Sequence, residues 1–149
     1  MADRIQLKKL SVSRLKAAKI LLRESDFDGA VYIVGYVLEL ALKAAICKRL
    51  NLSNYPDKGS PTVKNEVADI FRTHDFGILS TFAGLSNDLS LATASSRLLQ
   101  NWSDLTSWKP GSRYEPLGTY TRNDAERLIE ALEESPDGIL TWIRRKRKW

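Results

Sequence analysis

The stretch AVYIVGYVLELALKAA, residues 30–45, decides the fold. It belongs to a segment from about residue 26 to residue 51 that is apolar on nearly every side of a helix, as in a helix buried at the centre of a domain. Four polar or aromatic residues follow one another at spacings of four, three and four, so they share one helix face. This polar strip consists of Tyr32, Tyr36, Glu39 and Lys43.

Glu39 interrupts the apolar helix most sharply, and Lys43 follows it by one turn. A Glu-to-Lys pair at this spacing contributes only about 0.2–0.5 kcal/mol when exposed. A buried pair needs further partners to offset the loss of hydration. Two interpretations therefore stay open: a structural ion pair at the edge of the core, or a polar strip that lines a groove.

The rest of the chain also has helical periodicity, and no stretch alternates apolar and polar residues as a strand would. Helices are predicted to start near Ser13, Ser60-Pro61, Thr73, Asn87 and Asn123, and a break at 135–138 precedes a last helical segment. The predicted fold is all-α, an antiparallel helical bundle of about five to six helices. Its domain covers residues 1–143, and a basic tail covers residues 144–149.

A long loop is predicted between residues 103 and 122, and it contains Trp108 and Arg113-Tyr114. Loops of this length are often functional. Arginine beside aromatic rings suits stacking on a base and contact with phosphate. The same residues could instead pack the loop over the bundle through a cation–π contact.

The chain has one histidine, His74, and one cysteine, Cys47. A zinc site needs three or four ligands of these kinds, so no metal is expected. The nucleotide motifs GxxxxGK[ST] and GxGxxG do not occur in the sequence, and no cofactor is expected. If His74 does chemistry, its helpers must be carboxylates, Arg, Tyr, a ligand or a second chain. Asp75 suits the positive end of a helix dipole.

The net charge of +5 comes from a block of five basic residues, because the rest of the chain carries equal numbers of acidic and basic residues. The block is Arg144, Arg145, Lys146, Arg147 and Lys148. Such a block is typical of an arm for nucleic acid or another polyanion, or of a frayed, solubilising terminus. The apolar run Ala30–Leu42 is shorter than the ~20 residues that span a bilayer, and the start lacks a secretory signal. We therefore expect a cytoplasmic protein without a membrane partner.

Three segments together resemble the HEPN domains (higher eukaryotes and prokaryotes nucleotide-binding). Residues 30–45 are similar to their Ala-rich helix, in which a Glu precedes a Leu-Lys-Ala run. Thr73-His74-Asp75-Phe76 resembles their His-Asp-Leu segment, and Arg113-Tyr114 resembles their Arg-Tyr element. The resemblance spans about residues 13–143. It implies a bundle of four or more helices, a dimer, and work on RNA or nucleotides.

Many HEPN domains are metal-independent ribonucleases in which an Arg precedes a His by four to six intervening residues. Val67, Ala68 and Asp69 occupy those positions before His74, and Arg72 is too close. The resemblance therefore implies the non-catalytic branch. Members of that branch bind a nucleotide or RNA, or act in a two-protein system of the toxin–antitoxin or defence type.

We therefore expect a homodimeric module that binds a nucleotide or RNA, with a cognate protein as a further potential partner. The expected ligand-binding residues are Tyr32, Tyr36, Glu39, Lys43, His74, Asp75, Arg113 and Tyr114. The alternative is a divergent ribonuclease that uses His74 and Arg113. A second alternative is a purely structural dimerisation module in which the polar strip forms the seam.

Overall fold

The structure, a computed structural model, describes residues 2–57, 63–91 and 95–148 and contains no strand in these ranges. Its helices are α1 (Arg4–Arg23), α2 (Phe27–Arg49), α3 (Asn65–Phe71), α4 (Phe76–Phe82), α5 (Ser86–Ser90), α6 (Ser96–Thr106), α7 (Arg122–Glu133) and α8 (Ile139–Lys146). The all-α class is confirmed, although the described residues form eight α-helices where five to six were expected. The antiparallel bundle and its HEPN-like character remain predictions.

The apolar segment forms α2, the central helix, and most of its side chains are buried on all sides. The Asp26 carboxylate caps its first turn by accepting a hydrogen bond from Gly29 N at 2.8 Å. The burial of its side chains confirms the prediction that this helix is buried. At its full length, α2 is long and apolar enough to cross a membrane, which corrects the shorter span Ala30–Leu42. Since most of that length is buried within the fold, α2 has the burial of a core helix of a soluble protein.

Helix α1 packs against α2 over most of its length and begins well before the predicted start at Ser13. Asp3 and Gln6 form a reciprocal capping box at its first turn, and this box sets the start. Ser11 is fully buried and donates a hydrogen bond to the Val37 carbonyl at 2.9 Å. The two helices run antiparallel, because the start of α1 lies beside the end of α2.

The middle of the chain forms more and shorter helices than predicted. Asp75, not Thr73, caps α4 and accepts a hydrogen bond from Ile78 N at 3.0 Å. The single helix expected between Asn87 and Leu105 is two helices, α5 and α6, because the chain turns extended after α5 and Ser95 caps α6. The predicted helix start at Ser60-Pro61 lies outside the described residues.

The predicted loop at 103–122 contains a short 3₁₀ helix, Pro110–Tyr114. The Asp28 carboxylate of α2 ties this loop down by accepting hydrogen bonds from Gly118 N at 2.7 Å and Tyr120 N at 2.9 Å. Helix α7 then starts with a capping box between Thr121 and Asp124, two residues before the predicted cap. The C-terminal end of the loop is thus fixed to α2 and α7.

The predicted boundary between a bundle ending at residue 143 and a basic tail is not a structural boundary. Helix α8 continues through Lys146, and its apolar side chains are buried. The Arg147 guanidinium then donates hydrogen bonds to the carbonyls of Ala83 and Gly84 at 2.6 and 2.9 Å. Because these contacts fasten the chain to the end of α4, residues 144–148 belong to the fold. Residue 149 lies outside the described residues.

The indole ring of Trp108 lies directly on α2 at Gly35. A methyl group added to Gly35 would lie 1.9 Å from Cε2 of that ring. The close approach brings Trp108 against Tyr36, with ring centroids 5.1 Å apart. Only glycine at position 35 leaves room for this contact.

Gly35→Ala should therefore destabilise the protein by about 1–3 kcal/mol through overpacking. At an unconstrained helical position the same change would stabilise by up to about 1 kcal/mol. The free energy of unfolding in urea measures the effect. Gly111→Ala is the control, because nothing lies within 4 Å of a methyl group added there. A stabilising Gly35→Ala would contradict the packing.

A polar network joins α6 to the end of α7. The Arg97 guanidinium donates to both oxygens of Glu134, at 2.5 and 2.8 Å. The buried Asn101 amide donates to Glu134 and to the Asp137 carbonyl, and it accepts from Arg127. The hydrogen bond from Arg97 lowers the pKa of Glu134 most. The hydrogen bond from Asn101 also lowers it, and the pKa falls to about 2.

This pKa gives Glu134 a pH-dependent contribution to stability. Its folded pKa lies below the ordinary value of 4.5, so the contribution is present above pH 4.5 and is lost as the pH falls towards 2. In urea, the free energy of unfolding of Glu134→Gln should fall furthest below that of the native chain at neutral pH. This difference in free energy should become smaller below pH 4.5. The exposed Glu66→Gln of α3, outside this network, should differ little from the native chain in the same measurement. A Glu134→Gln deficit independent of pH would contradict the assignment.

Candidate ligand-binding groove

Glu39 is the centre of the polar strip, and its residue is only 4% exposed. Its Oε1 accepts a hydrogen bond from Lys43 Nζ at 2.7 Å. Its Oε2 lies 2.7 Å from His74 Nδ1. Helix α2 supplies the carboxylate and the ammonium, and the turn before α4 supplies the imidazole. One buried acid thus positions two potential cations from different parts of the chain.

The contact with Glu39 fixes the proton arrangement of His74. An ionised carboxylate only accepts hydrogen bonds, so Nδ1 carries the proton in this pair. The second ring nitrogen, Nε2, then accepts a hydrogen bond in the neutral ring and donates one in the charged ring. The His74 side chain is 54% exposed, so this nitrogen is within reach of a ligand.

Lys43 is held from its other side by an aromatic ring. Its ammonium lies 5.1 Å from the centroid of Tyr55, a cation–π contact. The Tyr55 hydroxyl donates to the Phe71 carbonyl at 2.7 Å, and burial raises the pKa of that hydroxyl. The Lys43 side chain keeps 17% of its surface exposed and lines the cavity beside these contacts.

A cavity of about 580 Å³ opens beside this cluster, within the range of small-molecule sites. We call it the groove. It is lined by Ala2, Leu7, Leu40, Lys43, Tyr55, Pro56, Asp57, Asp69, Phe71, Arg72, Thr73 and His74. Arg72 brings a further positive charge to the groove, and its Nη1 lies 3.6 Å from Asp69 Oδ1. The groove therefore offers three nitrogen-bearing side chains and two carboxylates, those of Asp57 and Asp69, beside aromatic and apolar walls.

An aromatic cluster continues from His74 along the polar strip. Tyr36 meets the imidazole edge-on at 6.5 Å and meets the Tyr32 ring at 5.3 Å. The two hydroxyl oxygens are 3.4 Å apart. Burial, followed by the hydrogen bond to Tyr32, raises the pKa of Tyr36 to about 12, while the same bond lowers the pKa of Tyr32. Either hydroxyl can donate this hydrogen bond.

A second cavity of about 330 Å³ lies on the other side of His74. Trp108 and Phe76 stack on each other along its wall, with ring centroids 5.7 Å apart. The buried Trp108 Nε1 has no hydrogen-bond partner among the described residues. Asp75 also lines this cavity, although its carboxylate is engaged in capping α4.

Arg113 joins the site at its edge. Its guanidinium lies over the Tyr114 ring, 4.9 Å from the centroid. A hydrogen bond to Tyr32 is the largest cause of the raised pKa of Arg113. Its contacts therefore lead towards His74 through the two tyrosines of the polar strip. Tyr114 is 77% exposed and points away from the core.

The structure thus brings together five of the expected ligand-binding residues: Tyr32, Tyr36, Glu39, Lys43 and His74. Arg113 adjoins them, whereas Asp75 is occupied by the helix cap and Tyr114 lies on the surface. Lys43 and His74 are the groove residues that were expected, and Tyr55 and Arg72 were missed. Their signal in the sequence was weak, because Tyr55 stands alone in a polar segment and Arg72 was considered only as part of a ribonuclease motif.

The basic residues near the C-terminus lie away from the groove. They gather at the C-terminal ends of α2 and α4, whereas His74 precedes the first turn of α4. Among the described residues, no cluster of three His, Cys, Asp or Glu side chains could hold a metal ion.

The chain matches no protein-family model, no curated protein and no solved structure. A function must therefore be argued from the geometry of the groove itself.

Glu39→Gln tests whether the buried carboxylate organises the site. The amide keeps the shape but loses two charge-assisted hydrogen bonds, so we expect a loss of about 1.5–3 kcal/mol in the free energy of unfolding. Urea denaturation at neutral pH measures it. The exposed Glu66→Gln of α3 serves as the control and should change stability by less than about 0.5 kcal/mol. Equal effects of the two substitutions would mean that Glu39 contributes no more than a surface carboxylate.

Proposed function

We propose that the groove binds the phosphate-bearing part of a nucleotide or of an RNA. The observation that carries this proposal is the pair of 2.7 Å contacts by which buried Glu39 holds Lys43 and His74 at the groove. On this proposal the protein is a cytoplasmic binding module, and the HEPN resemblance supports the same ligand class.

The hydrogen-bonding capacity left in the groove supports a phosphate ligand. Lys43 uses one of its three donors on Glu39, and the His74 ring keeps Nε2 for a further partner. Arg72 presents a guanidinium, the group best suited to bidentate contact with phosphate. Asp69, which pairs with Arg72, competes with the phosphate for this guanidinium.

The aromatic side chains support a base or nucleoside beside the phosphate. Tyr36 adjoins the imidazole, and Tyr55 forms part of the groove wall. Stacking of a base on an aromatic ring is worth about 1–3 kcal/mol and tolerates any base. The site therefore suits recognition of a nucleotide unit more than of a particular sequence.

Binding is tested by calorimetry and thermal shift with AMP, GMP and short single-stranded RNAs. A ligand present at one hundred times its dissociation constant should stabilise the fold by about 2.7 kcal/mol. Lys43→Gln and His74→Ala should each weaken binding about tenfold or more, since each removes a charge-assisted hydrogen bond.

Lys16→Gln is the matched control, because this exposed lysine of α1 does not line the groove. Each variant's unfolding curve is measured first, so that lost binding is not confused with lost fold. If folded protein shows no ligand-induced stabilisation with any of these ligands, or if all three variants bind alike, the proposal is wrong.

A second candidate, a divergent ribonuclease, is favoured by the Glu39–His74 contact. A carboxylate that orients one ring nitrogen leaves the other as a general base near neutral pH. Arg113 would contribute to this chemistry only indirectly, because its hydrogen bond is to Tyr32. RNA cleavage in excess EDTA that disappears in His74→Ala would support this candidate, and cleavage retained in that variant would eliminate it.

The expected homodimer and a cognate protein partner remain part of the proposal. The polar strip is then either a ligand site or a seam between two chains. In the purely structural alternative, the dimer would dissociate in Glu39→Gln without any ligand, which sedimentation of the same variant measures.

A further inference from the structure

A set of positive side chains near the end of the chain is held in place by neutral oxygens. Arg49 Nη1 donates to the Phe82 carbonyl at 2.9 Å. Arg147 donates to the next two carbonyls, those of Ala83 and Gly84. A carbonyl accepts the hydrogen bond but does not cancel the charge, so these guanidinium groups are fixed in position and stay positive.

The same kind of contact joins two chain segments that are far apart in sequence, because Lys48 Nζ donates to the Lys148 carbonyl at 2.9 Å. Within the last part of the chain, Arg145 Nη1 donates to the Pro136 carbonyl at 3.3 Å. The end of α2 and the end of α8 thus form one positive surface. This C-terminal basic surface consists of Lys48, Arg49, Arg144, Arg145, Arg147 and Lys148.

Positive charge extends from this surface onto the first turns of α1. The pKa of Lys8 is lowered by burial and then by the neighbouring charges of Arg4 and Lys48. Arg4 and Lys48 also share the wall of a cavity of about 460 Å³. An acidic side chain does reach this end of the fold, because Asp88 lies 3.9 Å from Lys146. Asp137 lines the same cavity as Asp88, Arg145 and Lys146.

The composition of α8 distinguishes between two classes of polyanion. An interfacial helix that binds anionic lipid needs apolar side chains facing the bilayer. All four large apolar side chains of α8 are buried in the core: Ile139, Leu140, Trp142 and Ile143. The exposed part of the helix end is charged, which suits a phosphodiester backbone and not a membrane.

We propose that the C-terminal basic surface docks the phosphodiester backbone of a nucleic acid. It is a site separate from the groove, and its contacts are electrostatic and independent of sequence. A composite surface of this kind needs the folded chain, in contrast to a free basic arm, because Lys48 and Arg49 come from α2.

The experiment measures binding of fluorescent 20-nucleotide single-stranded RNA, single-stranded DNA and duplex DNA to the full chain by anisotropy at 50 and 200 mM salt. Six phosphate contacts to a single strand predict a loss of about 300-fold in affinity between these two salt concentrations. The triple variant Arg144→Gln, Arg145→Gln, Lys148→Gln should lose only about 20-fold over the same range, because three contacts remain. It should also bind more weakly at 50 mM salt.

A matched triple variant, Arg14→Gln, Lys16→Gln, Arg23→Gln, removes the same charge from exposed positions of α1. It should keep the native salt dependence, and Arg144→Lys, Arg145→Lys should keep native binding. The proposal is overturned if the two triple variants behave alike or if none of the nucleic acids binds. It is equally overturned if vesicles containing phosphatidylserine bind through the surface while nucleic acids do not. Binding of AMP should be unchanged in the first triple variant, which keeps this result distinct from a failure of the groove.

Discussion

The burial of the Glu39 carboxylate is the constraint on which the site depends. An acid surrounded by the apolar residues of α2 must be compensated, because an unpaired buried charge costs several kcal/mol. Lys43 satisfies one oxygen from the same helix. The other oxygen is satisfied by His74, which the chain delivers from more than thirty positions away. The turn between α3 and α4 therefore has to approach α2 at this point, and the groove is the space that results.

Close packing on the opposite side of the strip depends on one missing methyl group. Gly35 lets Trp108 lie on α2, and Trp108 in turn supports Tyr36 and Phe76. Asp28 holds the same loop further along by two backbone hydrogen bonds. The contact with Trp108 packs the Tyr36 ring beside the imidazole of His74.

Features that depend on the residues of one helix alone were predicted from the sequence. The polar strip follows from residue spacing on α2 alone, and the buried centre follows from its apolar surround. The convergence of His74 with Glu39 could not follow from spacing, because it depends on how α4 packs against α2. Caps were misplaced where two candidates stood close together, as with Thr73 and Asp75, since both side chains accept backbone hydrogen bonds and only the local path decides. The basic block was misjudged as a tail because charge pattern does not show that Arg147 finds carbonyls at the end of α4.

The Glu39 contacts also separate the structural interpretation of the strip from the ligand-binding one. Lys43 neutralises the carboxylate, and both groups are largely buried. The His74 side chain is less buried than those of Lys43 and Glu39, because more than half of it stays exposed. What it adds is a fixed ring with one nitrogen held and the other presented beside a cavity lined by Arg72 and Tyr55. On our proposal, this half-exposed imidazole, oriented by a buried acid, is the group that contacts the anionic ligand.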